Sequence, residues 1–236
     1  EATAVLAGDL ALSRAHRLVA GVDLPAARRR DLLDLMDETL LVSAGGELDD
    51  TAFGLGLHSP GMQEALRVCE SKTAMYSFRA PLRAGAILGG ARPDVVTALD
   101  GAGRLLGRAF QLVDDLLGVF APADVIGKSN VSDLREGKLT ALVLHARHRG
   151  EWAEVAPHFG REDLDDSTAT CMRRSLARSG AADAVADMVR TDLAAVDDST
   201  TRLPSALTPV LGAVTGQVRA SLDEVMVHVD QARWHH

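Results

Sequence analysis

Two aspartates, Asp114 and Asp115, stand side by side inside an otherwise apolar run from Phe110 to Phe120. Taking a carboxylate out of water without a partner costs several kcal/mol, so the pair must be solvated, salt-bridged or bound to a cation. Gln111 lies three and four residues upstream, within helical reach of both. Downstream the chain offers Gly127-Lys128, then Asp133, then Gly137-Lys138 followed by Thr140. Paired carboxylates facing two glycine-flanked lysines suit a diphosphate held through Mg²⁺. That metal takes carboxylate and phosphate oxygens together and keeps some waters, while lysines neutralise the remaining phosphate charge. A solvated carboxylate pair is the competing reading.

Adjacency alone does not choose between them. With 23 aspartates in 236 residues, about two adjacent pairs arise by chance. Four occur, at 49–50, 114–115, 165–166 and 197–198. The pairs at 165–166 and 197–198 lie in polar surroundings that read as helix starts, where acidic side chains favour the dipole and need no ligand. Lysine usage is more selective. Of the 25 basic residues, 22 are arginine and three are lysine: Lys72, Lys128 and Lys138. So strong a bias toward arginine points to lysine being placed where a compact charge on a flexible stem is wanted. Lys72, in "SKTAMY", falls within an apolar helix beside Thr73. There it needs an anionic partner, or else it snorkels at the helix edge.

The elements that would position these groups read as helices. Apolar residues recur at i, i+3 and i+4 almost throughout, and strict alternation is scarce. A helix opens the chain, and Pro25 leads a second that the Gly45-Gly46 pair is expected to stop. Residues 51–61, with three glycines and a proline, read as a loop. The next helical length, 62–91, is expected to kink or break at Pro81, and Pro93 starts a helix through to Phe120. Residues 121–138 read as a long polar loop. Beyond Thr140, three or four shorter amphipathic helices are expected, broken near Gly150, Gly160, Gly180 and Pro204.

Composition narrows the class further. Aromatic residues make up 3%, so the core is built from Leu, Val and Ala, which favours packed helices over sheets. The net charge of −8 argues against nucleic-acid binding. No apolar run is long enough to span a bilayer, so no stable membrane insertion is expected. Cys69 and Cys171 have no metal spacing and read as reduced core thiols, in keeping with a cytoplasmic protein. His145 and His148, three apart, lack a third ligand and read as surface. The glycines at 54, 56, 101 and 103 follow no strand and do not read as a nucleotide loop. One all-α domain over 1–236 is expected, with 222–236 set apart as a tail or tag remnant ending in His235-His236.

Taken together, these motifs resemble the trans-isoprenyl diphosphate synthases. "GRAFQLVDDLLGVF" followed by "GKSNVSDLREGKLT" is similar to that family's second aspartate-rich region. "KTAMYSFRAPLRAGAILGGA" resembles its Lys-Thr helix, "AVLAGDLALSRA" its Gly-Asp helix, and "GGELDD" a segment that often carries Gln where this chain has Glu47. The likeness runs in order from about residue 4 to about 221. It implies an all-α bundle of isoprenoid-synthase type around a central cavity, forming a homodimer. The implied reaction is a Mg²⁺-dependent condensation of isopentenyl diphosphate with an allylic diphosphate, giving a short-chain C15–C20 product.

Carried over residue by residue, Asp114 would ligate Mg²⁺ with Asp115 in the same acidic site. Lys72 and Lys128 would hold the allylic diphosphate, and Lys138 would be a weaker contact to it. Thr73 and Gln111 would line the place where the allylic cation forms. Gly118 stands where the motif often ends in a further Asp. The family's first aspartate-rich motif, its arginine pair and its isopentenyl diphosphate pocket would all precede residue 1 and are not in this sequence. The chain is therefore expected to be part of a longer enzyme and not to turn over alone. A non-catalytic subunit or truncated paralogue, a terpene cyclase of the same fold, and a helical scaffold are the alternatives.

Overall fold

A computed structural model describes residues 2–122, 132–201 and 203–234. Among these every regular element is helical. In chain order they are α1 (Ala2–Ala20), α2 (Ala26–Gly54), α3 (Met62–Val68), a π-helical stretch (Cys69–Arg79), α4 (Ala80–Gly89) and α5 (Pro93–Phe120). There follow α6 (Ser132–Arg135), α7 (Ala141–Ala146), α8 (Trp152–Val155), α9 (Asp166–Arg178), α10 (Ala181–Thr200), a 3₁₀ turn (Ser205–Leu207) and α11 (Thr208–Trp234). No helix among the described residues is long and apolar enough to cross a membrane.

α5 is the axis of the fold. Pro93 supplies its first turn, where a missing N–H costs no hydrogen bond. Leu99, Ala102, Leu106, Ala109, Val113 and Leu116 then bury one face at intervals of three and four residues. That face packs on Val185, Val189 and Leu193 of α10 and on Leu222, Val225 and Val229 of α11. Each fully buried Leu or Val stabilises the packing by about 1.5–3 kcal/mol. The opposite side of α5 meets the π-helical stretch and carries the polar residues.

The expected stop at Gly45-Gly46 does not occur: α2 runs on to Gly54 and takes in the first part of the expected loop. A Cβ on Gly46 would come 2.6 Å from the Lys72 backbone nitrogen. The glycine serves a close helix-to-helix approach, and tertiary packing offsets its poor helix propensity of about 1 kcal/mol. The break expected at Pro81 also takes another form. Pro81 lies in the first turn of α4, and the eleven residues before α4 wind as a π-helix. At its end the Ala80 N–H bonds to the Met75 carbonyl, five residues back.

Four further expectations change in the second half. α10 and α11 are long, 20 and 27 residues, because each presents a continuous buried stripe to α5. Residues 222–234 are part of α11 and bury Leu222, Val225 and Val229, so they are not a tail. Asp165 N-caps α9 through the Thr168 N–H at 2.7 Å, as a helix start requires. Asp197 and Asp198 instead end α10, with Asp197 paired to Arg219. Cys171 is exposed and Cys69 half-buried, its thiol pushed well above its usual value by burial and then by Asp115.

Candidate functional site

Gly107, Gln111 and Asp115 share one stripe of α5, four residues apart. At Gly107 a Cβ would lie 2.3 Å from the Ala74 Cα, so α5 and the π-helical stretch touch backbone to backbone. One turn on, this contact brings Thr73 to Gln111. The Thr73 hydroxyl donates to Gln111 Oε1 at 2.6 Å, and Gln111 Nε2 donates to Asp115 Oδ1 at 2.8 Å. The amide is thus committed at both ends, which fixes its orientation.

The two neighbouring aspartates part company, as residues about 100° apart on a helix must. Asp115 is buried, 9% exposed, whereas Asp114 is exposed at the cavity. Burial pushes the Asp115 carboxyl up to about 7; the Gln111 hydrogen bond opposes the rise, the charges of Asp133 and Asp114 add to it, and Lys138 works against it.

Lys72 is not snorkelling. Its Nζ lies 2.5 Å from Asp50 and 2.9 Å from Glu47, both on the part of α2 beyond the expected stop. Burial lowers the proton affinity of this ammonium, and the two carboxylates outweigh that and raise it. Lys138 is built by a different local device. Gly137 adopts φ of 66°, and the chain folds back so that the Lys138 N–H bonds to the Asp133 carbonyl at 3.0 Å. Its Nζ then meets Asp133 Oδ1 at 2.5 Å and Glu136 at 3.3 Å. Burial works against this ammonium too, yet Asp133 and Glu136 carry it well above the ordinary lysine range.

Gly118 has a role of its own here. A Cβ at 118 would lie 2.7 Å from Asp133 Oδ2. The bare position leaves room for that carboxylate beside Asp114 and Asp115.

Apart from Glu47 and Glu136, these charged groups line one cavity of about 290 Å³. Phe53, Ala65, Val68 and Leu139 line it together with the lysines and carboxylates. Of the site residues expected from sequence, the cavity brings together Lys72, Thr73, Gln111, Asp114, Asp115 and Lys138. Lys128 lies outside the described residues. Sequence reasoning left three contributors without a role. Asp50 and Glu47 were legible only as acidic residues near a helix end, and Asp133 only as a loop carboxylate. The four-residue spacing of Gly107, Gln111 and Asp115 was a readable signal for a packed polar stripe.

Behind the cavity a second charge cluster braces the same elements. Arg108 of α5 donates Nε to the buried Asp192 of α10 at 2.7 Å and reaches Glu70 of the π-helical stretch at 2.9 Å. Arg104 joins Glu70 at 2.8 Å. Glu70 is two residues from Lys72, so the cluster fixes the stretch that carries it. His145 is half-buried and its proton affinity falls through burial first, then through Arg149 and His148.

Among the described residues no three His, Cys, Asp or Glu side chains converge to hold a metal by themselves. A structural metal centre needs such a set. Mg²⁺ does not: it binds through one or two carboxylates, with phosphate and water oxygens completing its shell. Asp114 and Asp115, beside Lys72 and Lys138, are a donor set of that kind.

The helical unit has the isoprenyl-synthase fold. A solved geranylgeranyl pyrophosphate synthase from Corynebacterium glutamicum, complexed with isoprenyl diphosphate and magnesium, superposes with a TM-score of 0.84. The two are 26% identical, over 91% of this chain and 62% of that one. The polyprenyl synthetase family model matches residues 1–172, and the chain belongs to that family. A geranylgeranyl diphosphate synthase from Methanosarcina mazei is 33% identical over 188 residues, 80% of this chain and 56% of the relative. A geranylfarnesyl diphosphate synthase from Natronomonas pharaonis is 39% identical over 148 residues, 63% and 43% of the two chains. The chain spans about half the length of the curated relatives it matches.

Proposed function

We propose that this chain carries the allylic-diphosphate side of a Mg²⁺-dependent trans-prenyltransferase. The reaction condenses isopentenyl diphosphate with an allylic diphosphate to a C15–C20 isoprenyl diphosphate. The observation that carries the reading is the hydrogen-bonded chain Thr73–Gln111–Asp115, which shares one cavity with Lys72 and Lys138.

In this reading Asp114 and Asp115 hold Mg²⁺, which when bound supplies charge neutralisation for the departing diphosphate. Lys72, Lys138 and Lys128 hold phosphate oxygens. The leaving group is an anion and the other fragment a carbocation, so the site needs fixed positive charge on one side and no nucleophilic side chain. Thr73 and Gln111 turn oxygen lone pairs toward the cationic carbon. Phe53, Ala65 and Val68 exclude the water that would quench it.

The reading extends to a cytoplasmic homodimer. α1 buries none of its residues and leaves Val5, Leu6, Leu10 and Leu18 exposed, apolar surface that a second copy would cover. Light scattering would read twice the chain mass.

The deciding experiment is calorimetric titration of a bisphosphonate with and without Mg²⁺, in the wild type and in Asp114→Ala. Binding that requires Mg²⁺ and is lost in the variant is expected. A wild type indifferent to bisphosphonate and Mg²⁺ would overturn the reading that this chain holds the allylic diphosphate by itself.

A further inference from the structure

The two described lysines of the cavity are held in clamps of the same build. Lys72 Nζ sits 2.5 Å from Asp50 and 2.9 Å from Glu47; Lys138 Nζ sits 2.5 Å from Asp133 and 3.3 Å from Glu136. In each clamp the aspartate lines the cavity and is the more buried partner, with side-chain exposure of 34% for Asp50 and 16% for Asp133. In each the glutamate stands outside the cavity lining, exposed at 59% for Glu47 and 60% for Glu136. The two glutamates come from unrelated elements, α2 and the turn after α6, yet occupy equivalent positions.

One carboxylate neutralises one ammonium. The second leaves each lysine with surplus negative charge at its back. Counting Asp114 and Asp115, four aspartates and two glutamates surround two lysines among the described residues. A bare diphosphate therefore meets paired lysines and like charge. A diphosphate already complexed with Mg²⁺ brings positive charge to Asp114 and Asp115 and less repulsion to the glutamates. Exposed glutamates are released to water at little cost, so each lysine is free to exchange that partner for phosphate oxygens while its aspartate stays.

We propose that Glu47 and Glu136 are specificity-determining counter-charges that make the cavity select metal-complexed over metal-free diphosphate. The inference rests on the diphosphate reading above. Glu47 also marks the sequence departure from Gln, whose neutral amide would leave Lys72 with a single carboxylate.

The test is calorimetric binding of inorganic pyrophosphate, in EDTA and at saturating Mg²⁺, to the wild type, Glu47→Gln, Glu136→Gln and the double variant. Each Gln variant is expected to tighten metal-free binding by about fivefold, the scale of one exposed ion pair, and the double variant by about the product. Mg²⁺-saturated binding moves less, so the enhancement by Mg²⁺ shrinks. Glu47→Asp keeps the charge and keeps the wild-type ratio, which a purely structural role for Glu47 would not predict. Metal-free binding as weak in the double variant as in the wild type overturns the proposal alone. A wild type that fails to bind pyrophosphate even at saturating Mg²⁺ overturns the diphosphate reading, and the proposal with it.

Discussion

Thr73 Oγ1 lies 2.6 Å from Gln111 Oε1, joining the π-helical stretch to α5 at the wall of the cavity. Because the other end of the amide serves Asp115, a change at 111 reaches a buried carboxyl. Gln111→Leu removes the donor to Asp115 and the acceptor of Thr73 together. Leaving buried polar groups unsatisfied should cost about 2 kcal/mol, measured as a lower urea midpoint. The same change should raise the Asp115 carboxyl further, since the lost hydrogen bond was holding it down.

Asp115 gives a pH dependence of definite sign. Its value rises from 3.8 unfolded to about 7 folded, mainly through burial, so the folded chain binds this proton more tightly. The stability it contributes is complete below 3.8 and is lost as pH rises through about 7. Asp115→Asn removes that loss. Its melting temperature should gain on the wild type between these limits and level off above the upper one. A difference that stays constant with pH would contradict the assignment. Mg²⁺-pyrophosphate binding just below the upper limit should release protons, visible as a heat that varies with the buffer.

Gly45 and Gly46 of α2 should respond in opposite directions. Gly46→Ala drives a methyl into the Lys72 nitrogen and the Ser71 side chain, at 2.6 and 2.8 Å. Overpacking of that kind costs about 1–3 kcal/mol. Gly45→Ala meets nothing within 4 Å and should stabilise by about 0.5–1 kcal/mol through helix propensity. Parallel thermal melts would show the divergence. Only Gly46→Ala should also weaken Mg²⁺-dependent bisphosphonate binding, because it displaces Lys72.

Arg108→Met strands Asp192, whose side chain is 5% exposed. Removing one partner of a buried ion pair costs about 3–5 kcal/mol, whereas replacing both with apolar residues is often neutral. Arg108→Met should therefore sharply lower the denaturation midpoint, and adding Asp192→Leu should recover most of the loss. Equal destabilisation by the single and double variants would show that the arginine acts through Glu70 instead.

Much of the fold was legible because its causes are local. Pro93 at a helix start and apolar residues at three- and four-residue intervals bound α5 correctly at both ends. The breaks near Gly150, Gly160, Gly180 and Pro204 were read from the same kind of signal. What failed was every inference in which a distant element overrules a local preference. Gly45-Gly46 looked like a stop because helix propensity is a property of the residue, whereas Gly46 is there for Lys72, which lies 26 positions on by the numbering. The π-helical winding before Pro81 likewise occurs where the stretch packs backbone to backbone against α5 at Gly107.

The same division runs through the site. Residue type and spacing singled out Asp114, Asp115, Gln111, Lys72 and Lys138 in the sequence, and the resemblance to the trans-isoprenyl diphosphate synthases implied that they and Thr73 share one site. Only the tertiary structure decided which aspartate is buried, which partner each end of the Gln111 amide takes, and that each lysine described is clamped by two carboxylates. Those outcomes depend on which helix faces which, and on how much water that packing leaves around each charge.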